Sequence, residues 1–319
     1  MPCLVRRALL TLPLLPAPAL AQSRFPERPI RLIVPWTAGG PADLGYRILA
    51  ESVQRQLGQP VVVENRAGAA GILGAVALQE ARPDGYTVSQ MHVGVVRQML
   101  MNPRPPYHPI EDLTYILQIT GFTMGLVVRA DSPWQTLAQL LDHAAAHPGQ
   151  LNYGSLGTGS TQHLVIERIA VARRLAMTHV PYRGTADTLR ALLGGEIHFA
   201  SESSGWAPLV QAGQLRLLAV YTAERARRFP QVPTLRESGV DIVVESPGGL
   251  VGPRGMAPEV VRVLGAAFRT AAQEPAHLQF LERHDQPLLL LDGEAYREAT
   301  RRLMEEERAL LGRLNLLPA

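Results

Sequence analysis

Two stretches of this sequence carry residues whose types and spacing could hold a small anion. One is Leu151–Leu164, LNYGSLGTGSTQHL. It reads as a short strand over Leu151–Gly154, a loop of small residues, and the opening of a helix. Gly154, Gly157 and Gly159 let backbone N–H groups approach a ligand closely. Ser155, Thr158, Ser160 and Thr161 add hydroxyls at or before the expected N-cap. The helix behind them brings uncommitted N–H donors and a partial positive charge. Such a unit holds an anion without a cationic side chain. A similar stretch, Val34–Arg47, places Trp36, Thr37, Ala38, Gly39 and Gly40 after an apolar run. Pro41, Ala42 and Asp43 then suit a first helical turn.

Strands must aim both loops. Ile30–Pro35 is a compact apolar run, a buried strand by its pattern. The helix after it continues through Leu44, Ile48, Leu49 and Val53 to Leu57, with Gly58 as its stop. Val61–Glu64 is a second strand, and Asn65–Gly71 turns into a helix ending near Ala81. Arg82-Pro83-Asp84-Gly85 is a turn, and Tyr86–Met91 a third strand. Strand alternating with helix predicts a parallel sheet with packed helices. Ligands bind at the carboxyl ends of such strands, which singles out Trp36–Gly40 and His92. Strands over Thr114–Thr120 and Gly125–Arg129 follow, then a helix from Ser132-Pro133 to about Ala146. After the glycine-rich loop come a helix to about Arg174, a strand at Met177–Pro181, a helix at Ala186–Leu193, and strands at Ile197–Ser201 and Leu215–Tyr221. This is a second alternating unit. Val243–Val251 is followed by amphipathic helices at Pro258–Ala272 and Glu294–Leu311.

With 319 residues, 46% hydrophobic and 18% charged, two globular domains are expected. Residues 1–21 stand apart. Arg6 and Arg7 precede a short apolar run broken by Pro13, Pro16 and Pro18, and Ala19-Leu20-Ala21 fits a cleavage site. That pattern predicts a secretory signal cleaved after Ala21. Cleavage would remove the one cysteine, Cys3, and with it any disulfide or thiol nucleophile. It would also remove two of the 31 basic side chains, leaving 29 against 28 acidic ones. A near-neutral chain gives no nucleic-acid footprint. The sequence contains no lysine, which excludes Schiff-base chemistry and a lysine-bearing phosphate loop.

Several residues admit two readings. Asp43 and Arg47 are either a structural i,i+4 pair or ligand contacts. Trp36 is a pocket wall or ordinary core. His92 is a pocket candidate at a strand end. Arg183 reaches the cleft or sits exposed on its loop. His143 and His147 have metal-pair spacing but lack an HExxH glutamate and precede Pro148, which favours a solvated face. Gly154–Thr161 spaces like a phosphate loop, yet Ser160 stands where the lysine belongs. Ser155 is not in a GxSxG elbow, because Tyr153 takes the first glycine position. No spacing ties a serine to a histidine and a carboxylate.

In order along the chain, RPIRLIVPWTAGGPAD (28–43), GQPVVVENRAGAAGILGA (58–75), RPDGYT (82–87), LNYGSLGTGSTQHL (151–164), VPYRGTADTLRALLGGEI (180–197), AGQLRLLAV (212–220) and VPTLRESGV (232–240) resemble the periplasmic solute receptors of tripartite tricarboxylate transporters, the TctC or Bug family. The resemblance implies an α/β, two-lobed fold like the type II periplasmic binding proteins, with a ligand cleft between lobes. It implies a discontinuous first lobe, 22–122 plus 246–319, around a second at 123–245. It implies a periplasmic receptor, not an enzyme, that closes on a small carboxylate (a di- or tricarboxylate, an amino acid or an aromatic acid). Expected partners are that solute and membrane permease subunits, with a monomer and no cofactor, metal or nucleic acid. The family's ligand loops carry over to Trp36, Thr37, Ala38, Gly39, Gly40 and Asp43, and to Gly154, Ser155, Gly157, Thr158, Ser160 and Thr161. SESSGWAP (201–208) resembles a subgroup's SDSTGWAP, with Glu202 in place of the shorter Asp. If Glu202 faces the cleft, a second ligand carboxylate is disfavoured there. The alternatives are a sensor receptor without a permease and a secreted serine hydrolase using Ser155 or Ser160.

Overall fold

The computed structural model describes residues 25–318, and the expected signal segment with its cleavage site lies outside them. Within the described residues the chain builds two sheets. Strand β1 (Ile30–Val34) is followed by helix α1 (Pro41–Leu57), β2 (Val61–Asn65), a single 3-10 turn at Ala69–Gly71, and α2 (Leu73–Gln79). Then come β3 (Thr87–His92), α3 (Val93–Met101) and β4 (Leu113–Gly121). The chain crosses into a second sheet formed by β5 (Gly125–Arg129), β6 (Asn152–Ser155), β7 (Thr178–Pro181), β8 (Phe199–Glu202) and β9 (Leu215–Val220). Its helices are α4 (Leu137–Ala146), α5 (Thr161–Arg173), α6 (Thr185–Leu193) and α7 (Trp206–Gln211). The chain then returns to the first sheet through β10 (Pro247–Pro253), α8 (Pro258–Ala272), α9 (Pro275–Arg283), β11 (Leu288–Asp292) and α10 (Gly293–Arg313).

The first sheet has the order β11-β4-β10-β3-β1-β2 and the second β7-β6-β8-β5-β9. Parallel pairs β1/β2, β1/β3, β6/β7 and β6/β8 point their carboxyl ends the same way within each sheet. Strand β10 runs antiparallel between β3 and β4, pairing Gly248 with His92 and Leu250 with Gln90. In β1, Ile30, Leu32 and Val34 fall on one face, where Leu49 and Val53 of α1 and Phe268 of α8 complete a core. Opposite them, Met91, Val95, Tyr107, Tyr296 and Leu311 form a second core under α3 and α10. Burial of Tyr296, Thr300, Glu307 and Leu311 marks the inward stripe of α10.

Helix starts follow capping chemistry. Helix α1 begins at Pro41 behind an extended Gly40 and stops at Gly58 in the left-handed conformation. Ser160 caps α5 by accepting the His163 N–H. Helix α4 starts later than its Ser132-Pro133 signal, because Thr136 accepts the Gln139 N–H and sets the cap there. Helix α3 carries no Gly or Pro punctuation before it. It is capped by the His92 ring, whose Nδ1 accepts the Gly94 N–H. Two crossing segments join the sheets and bond each other, with Phe122 N–H donating to the Ser246 carbonyl at 2.9 Å. Ser204 Oγ accepts the Thr123 N–H and Trp206 Nε1 donates to the Thr123 carbonyl, which anchors one crossing to α7.

Gly249 sits where β10 passes beneath Tyr296. A Cβ there would collide with the Tyr296 ring and lie 2.5 Å from the Leu117 carbonyl oxygen. Gly249→Ala therefore overpacks the first sheet and costs about 1–3 kcal/mol. Denaturant unfolding checks this, and an unchanged midpoint would contradict it.

Candidate ligand-binding cleft

Between the sheets lies a narrow cleft with a cavity volume of about 50 Å³. Four helices, α1, α3, α5 and α6, begin at its wall, through Gly40–Ala42, His92–Gly94, Ser160–Gln162 and Thr185. An α-helix leaves its first N–H groups without intrahelical acceptors. Here the N–H groups of Ala42, Val93, Thr161, Gln162 and Thr185 find no acceptor among the described residues. The remaining wall is mainly apolar, from Trp36, Ala70, Phe122, Met124 and Leu156. Among the described residues no arginine lines the cleft. Four aligned helix ends favour an anion by about 0.3–1 kcal/mol each at a surface, and more when partly buried.

Of the sequence-selected residues, Trp36, Gly40, His92, Ser160 and Thr161 line this cleft. The Trp36 ring packs 4.8 Å from the His92 ring, so Trp36 is wall and core at once. His92 offers the cleft its ring and no free nitrogen. Its Nε2 lies 3.1 Å from the Gly71 carbonyl, which makes it the donor, and its Nδ1 caps α3. Burial pushes the His92 pKa down to about 4, so the ring is neutral. Beside it, Ala69 and Ala70 hold left-handed backbone at the cleft edge.

The structure places the other candidates outside the lining of this cleft. Asp43 is buried and faces away from the cleft. Its carboxylate accepts the Gly39 N–H, Arg47 Nε and Asn65 Nδ2, each at 2.8–3.0 Å. Burial opposes its charge, but these bonds hold its pKa below the usual carboxylate range. Asp43 thus fixes the first loop from behind, together with Asn65, which also donates to the Trp36 carbonyl. Thr37, Ala38 and Gly39 sit at the rim, outside the lining. Gly154 is inside the second sheet, where Ile197, Thr188 and Tyr182 would surround a Cβ. Ser155 is fully buried and bonded to His179 Nε2 at 2.6 Å. Its Oγ also accepts the Gly157 N–H, so that N–H is committed. This Ser–His pair lies behind the loop rather than in the cleft, and Ser160 Oγ acts as a helix cap. Neither serine is placed as a nucleophile. Thr158 is exposed and its carbonyl accepts from Gln98 of the other lobe. Arg183 is exposed outside the cleft, near Asp187 and Glu196. His143 and His147 stack at 4.3 Å beside Trp134 on the surface of α4.

Glu202 also turns away from the cleft. It is fully buried, and its Oε2 accepts the Ser203 N–H. Its neighbours Thr185 and Ser203 line the cleft and bond each other at 3.0 Å. Burial pushes the Glu202 pKa up to about 7, against the hydrogen bond from the Ser203 N–H. Pattern reading also missed Gln90, Gln162 and Ser246 in the lining. For Thr185 a signal existed, a Gly-Thr pair opening a helix after a strand.

The lobes touch across the cleft. Arg97 of α3 forms a buried ion pair with Glu307 of α10, and its Nη1 donates to Thr161 Oγ1 on α5 at 2.7 Å. Gly184 packs so closely on the first loop that a Cβ would clash with Thr37 Oγ1 and lie 2.9 Å from the Thr37 backbone nitrogen.

Comparison with known proteins adds a family. The model for the tripartite tricarboxylate transporter family receptor matches residues 46–316. The UPF0065 protein in the gbd 5′ region of Cupriavidus necator is 40% identical over 303 residues, 95% of this chain and 92% of that one. Among solved structures, the periplasmic binding protein BugD aligns with a TM-score of 0.87 and 27% identity, over 92% of this chain and 99% of its own. MatC of Rhodopseudomonas palustris with bound malate gives 0.80 and 27%, over 89% and 98%. Rpa4515 of R. palustris with adipate gives 0.82 and 29%, over 91% and 96%. The fold is the two-lobed type II arrangement of these periplasmic binding proteins.

The buried carboxyl of Glu202 gives the protein a pH signature. Its raised pKa means the folded chain holds this proton more tightly than the unfolded chain. The stability it contributes is complete below the ordinary glutamate value of 4.5 and is lost as pH rises to about 7. Relative to Glu202→Gln, wild type is expected to lose up to about 3 kcal/mol across that window. Thermal unfolding of both proteins, in the acid range and above neutrality, checks this. A difference that does not grow with pH would contradict it.

Proposed function

Because this chain belongs to the tripartite tricarboxylate transporter receptor family, we propose that it captures a small organic carboxylate in the periplasm and delivers it to membrane permease subunits. The observation that carries the carboxylate reading is the meeting of four helix N-termini at a cleft that no arginine lines among the described residues. Carboxylates suit such a site, because each oxygen accepts backbone N–H bonds and the charge meets the helix dipoles. The relatives with bound malate and adipate agree with that chemistry.

The lobes in this proposal are 22–122 with 246–319, and 123–245. Capture proceeds by rotation about the crossing segments. The open form admits the solute, and closure brings α5 and α6 of one lobe against α1 and α3 of the other. The solute's contacts to both lobes favour the closed state and set its population. The closed pair of lobes then presents a composite surface to the permease. Among the described residues no helix is long and apolar enough to cross a membrane, and export of the chain rests on the expected signal segment.

Two measurements follow. In a thermal-shift screen, a carboxylate at 100 times its Kd stabilises the protein by roughly 2.7 kcal/mol, and neutral sugars do not shift it. A response to sugars alone would refute the carboxylate reading. Gly184→Ala places a methyl group in the closed interface, in extended backbone that any residue adopts. It is expected to weaken carboxylate binding at least about tenfold, because the two lobes no longer hold the solute together. The unliganded melting temperature should change little. Equal affinity in the variant would refute closure at this contact.

A further inference from the structure

The floor of the cleft holds a polar side chain that the protein itself does not satisfy. Gln90 lies in β3, is 1% exposed, and lines the cleft. Its Oε1 and Nε2 are both buried, and neither has a hydrogen-bond partner among the described residues. Neighbouring positions differ. Ser89 Oγ donates to the Ile33 carbonyl, and Met91 packs in the core beneath α3. A buried central strand ordinarily takes an apolar residue at such a place. An orphaned buried amide is costly, so its presence calls for a partner that arrives with the ligand.

The surroundings define that partner. Gln90 pairs with Leu250, one step deeper in the sheet than His92, which pairs with Gly248 near the mouth. The side chains of Gln90 and His92 share a face of β3. His92 has both nitrogens committed, Trp36 and Phe122 are apolar, and among the described residues no arginine lines the cleft. The floor is therefore uncharged, while the attraction for an anion lies at the helix N-termini. A glutamine amide presents a donor and an acceptor side by side. A second carboxylate would satisfy Nε2 and face Oε1 lone pair to lone pair. An ammonium would satisfy Oε1 and oppose Nε2. A hydroxyl or a primary amide satisfies both atoms.

We infer that Gln90 is the specificity residue of this cleft, and that it selects carboxylates whose far end carries an uncharged group able to donate and accept, a hydroxyl or a primary amide. This rests on the carboxylate reading above and narrows its ligand class. Discrimination comes from the buried amide itself, because a ligand lacking the matching group leaves Gln90 unpaired in the closed cleft.

Titration calorimetry with matched ligands tests the assignment. The probes are the unbranched four-, five- and six-carbon dicarboxylates, their half-amides, and the monocarboxylates of the same length with a terminal hydroxyl. In wild type, a half-amide or hydroxy form is expected to bind at least about tenfold tighter than the plain dicarboxylate of the same length. In Gln90→Met, which keeps length and removes both polar atoms, that ratio should fall to within about threefold of unity. The unliganded Gln90→Met chain should melt no lower than wild type, since it loses an orphaned amide and no bond. A preference that survives in Gln90→Met would overturn the inference. So would equal binding of all three ligand types by wild type, and that result would leave the carboxylate reading intact. Binding of none of them would defeat both.

Discussion

Every α-helix starts with N–H groups that its own turns cannot satisfy, and four helices here bring that deficit to one cleft. Helices α1, α3, α5 and α6 converge because the parallel strands before them end on the same side of each sheet, and the two sheets face each other. The site's positive potential is thus a property of the backbone. Its walls can remain apolar, as Trp36, Phe122, Met124 and Leu156 are, and still attract an anion. A cationic side chain would bind an anion too, but it would be mobile and would need solvation in the empty state. Backbone donors are fixed by the fold before any ligand arrives, and need no reorganisation.

An arginine close behind the cleft shows how that division is kept. Arg97 is buried against Glu307, with two guanidinium nitrogens on the carboxylate. Its third contact is to the hydroxyl of Thr161 in the opposing lobe. Glu307 neutralises the charge, so Arg97 acts as a strut and a link between lobes. Breaking such a buried pair leaves an uncompensated charge, which is costly, although the pair itself adds little net stability. Asp43 plays a similar part for the first loop. Its carboxylate satisfies the Gly39 N–H and gathers Arg47 and Asn65, so the loop is held from outside the cleft.

Much of this was legible in the sequence, and the limits have physical reasons. Helix starts at Pro41 and Ser160 were visible because capping is local chemistry. The α/β class followed from alternation of short apolar runs with amphipathic stretches. Which small residues face the cleft was not visible. Ser155 and Ser160 look equivalent in LNYGSLGTGSTQHL, but one is the last residue of β6, turned inward onto His179, and the other caps α5 at the wall. Asp43 reads as a first-turn acid until Asn65, 22 positions away, is brought to it. Glu202 reads as a loop carboxylate, and only the packing of α6 over β8 shows it buried behind Thr185 and Ser203. Gln90 left a trace, a glutamine inside TVSQMH, that means something only once the strand is known to be central and covered.

The central claim is that backbone N–H groups at helix N-termini, and no arginine side chains, hold the anion. Two-dimensional amide NMR of the mature chain, titrated with a carboxylate that binds, tests it directly. The account predicts that the Ala42, Val93, Thr161, Gln162 and Thr185 amide protons move downfield together and saturate with one binding constant. It also predicts that the arginine Nε–H resonances stay in place. Arginine signals that shift while these amides remain unmoved would contradict it.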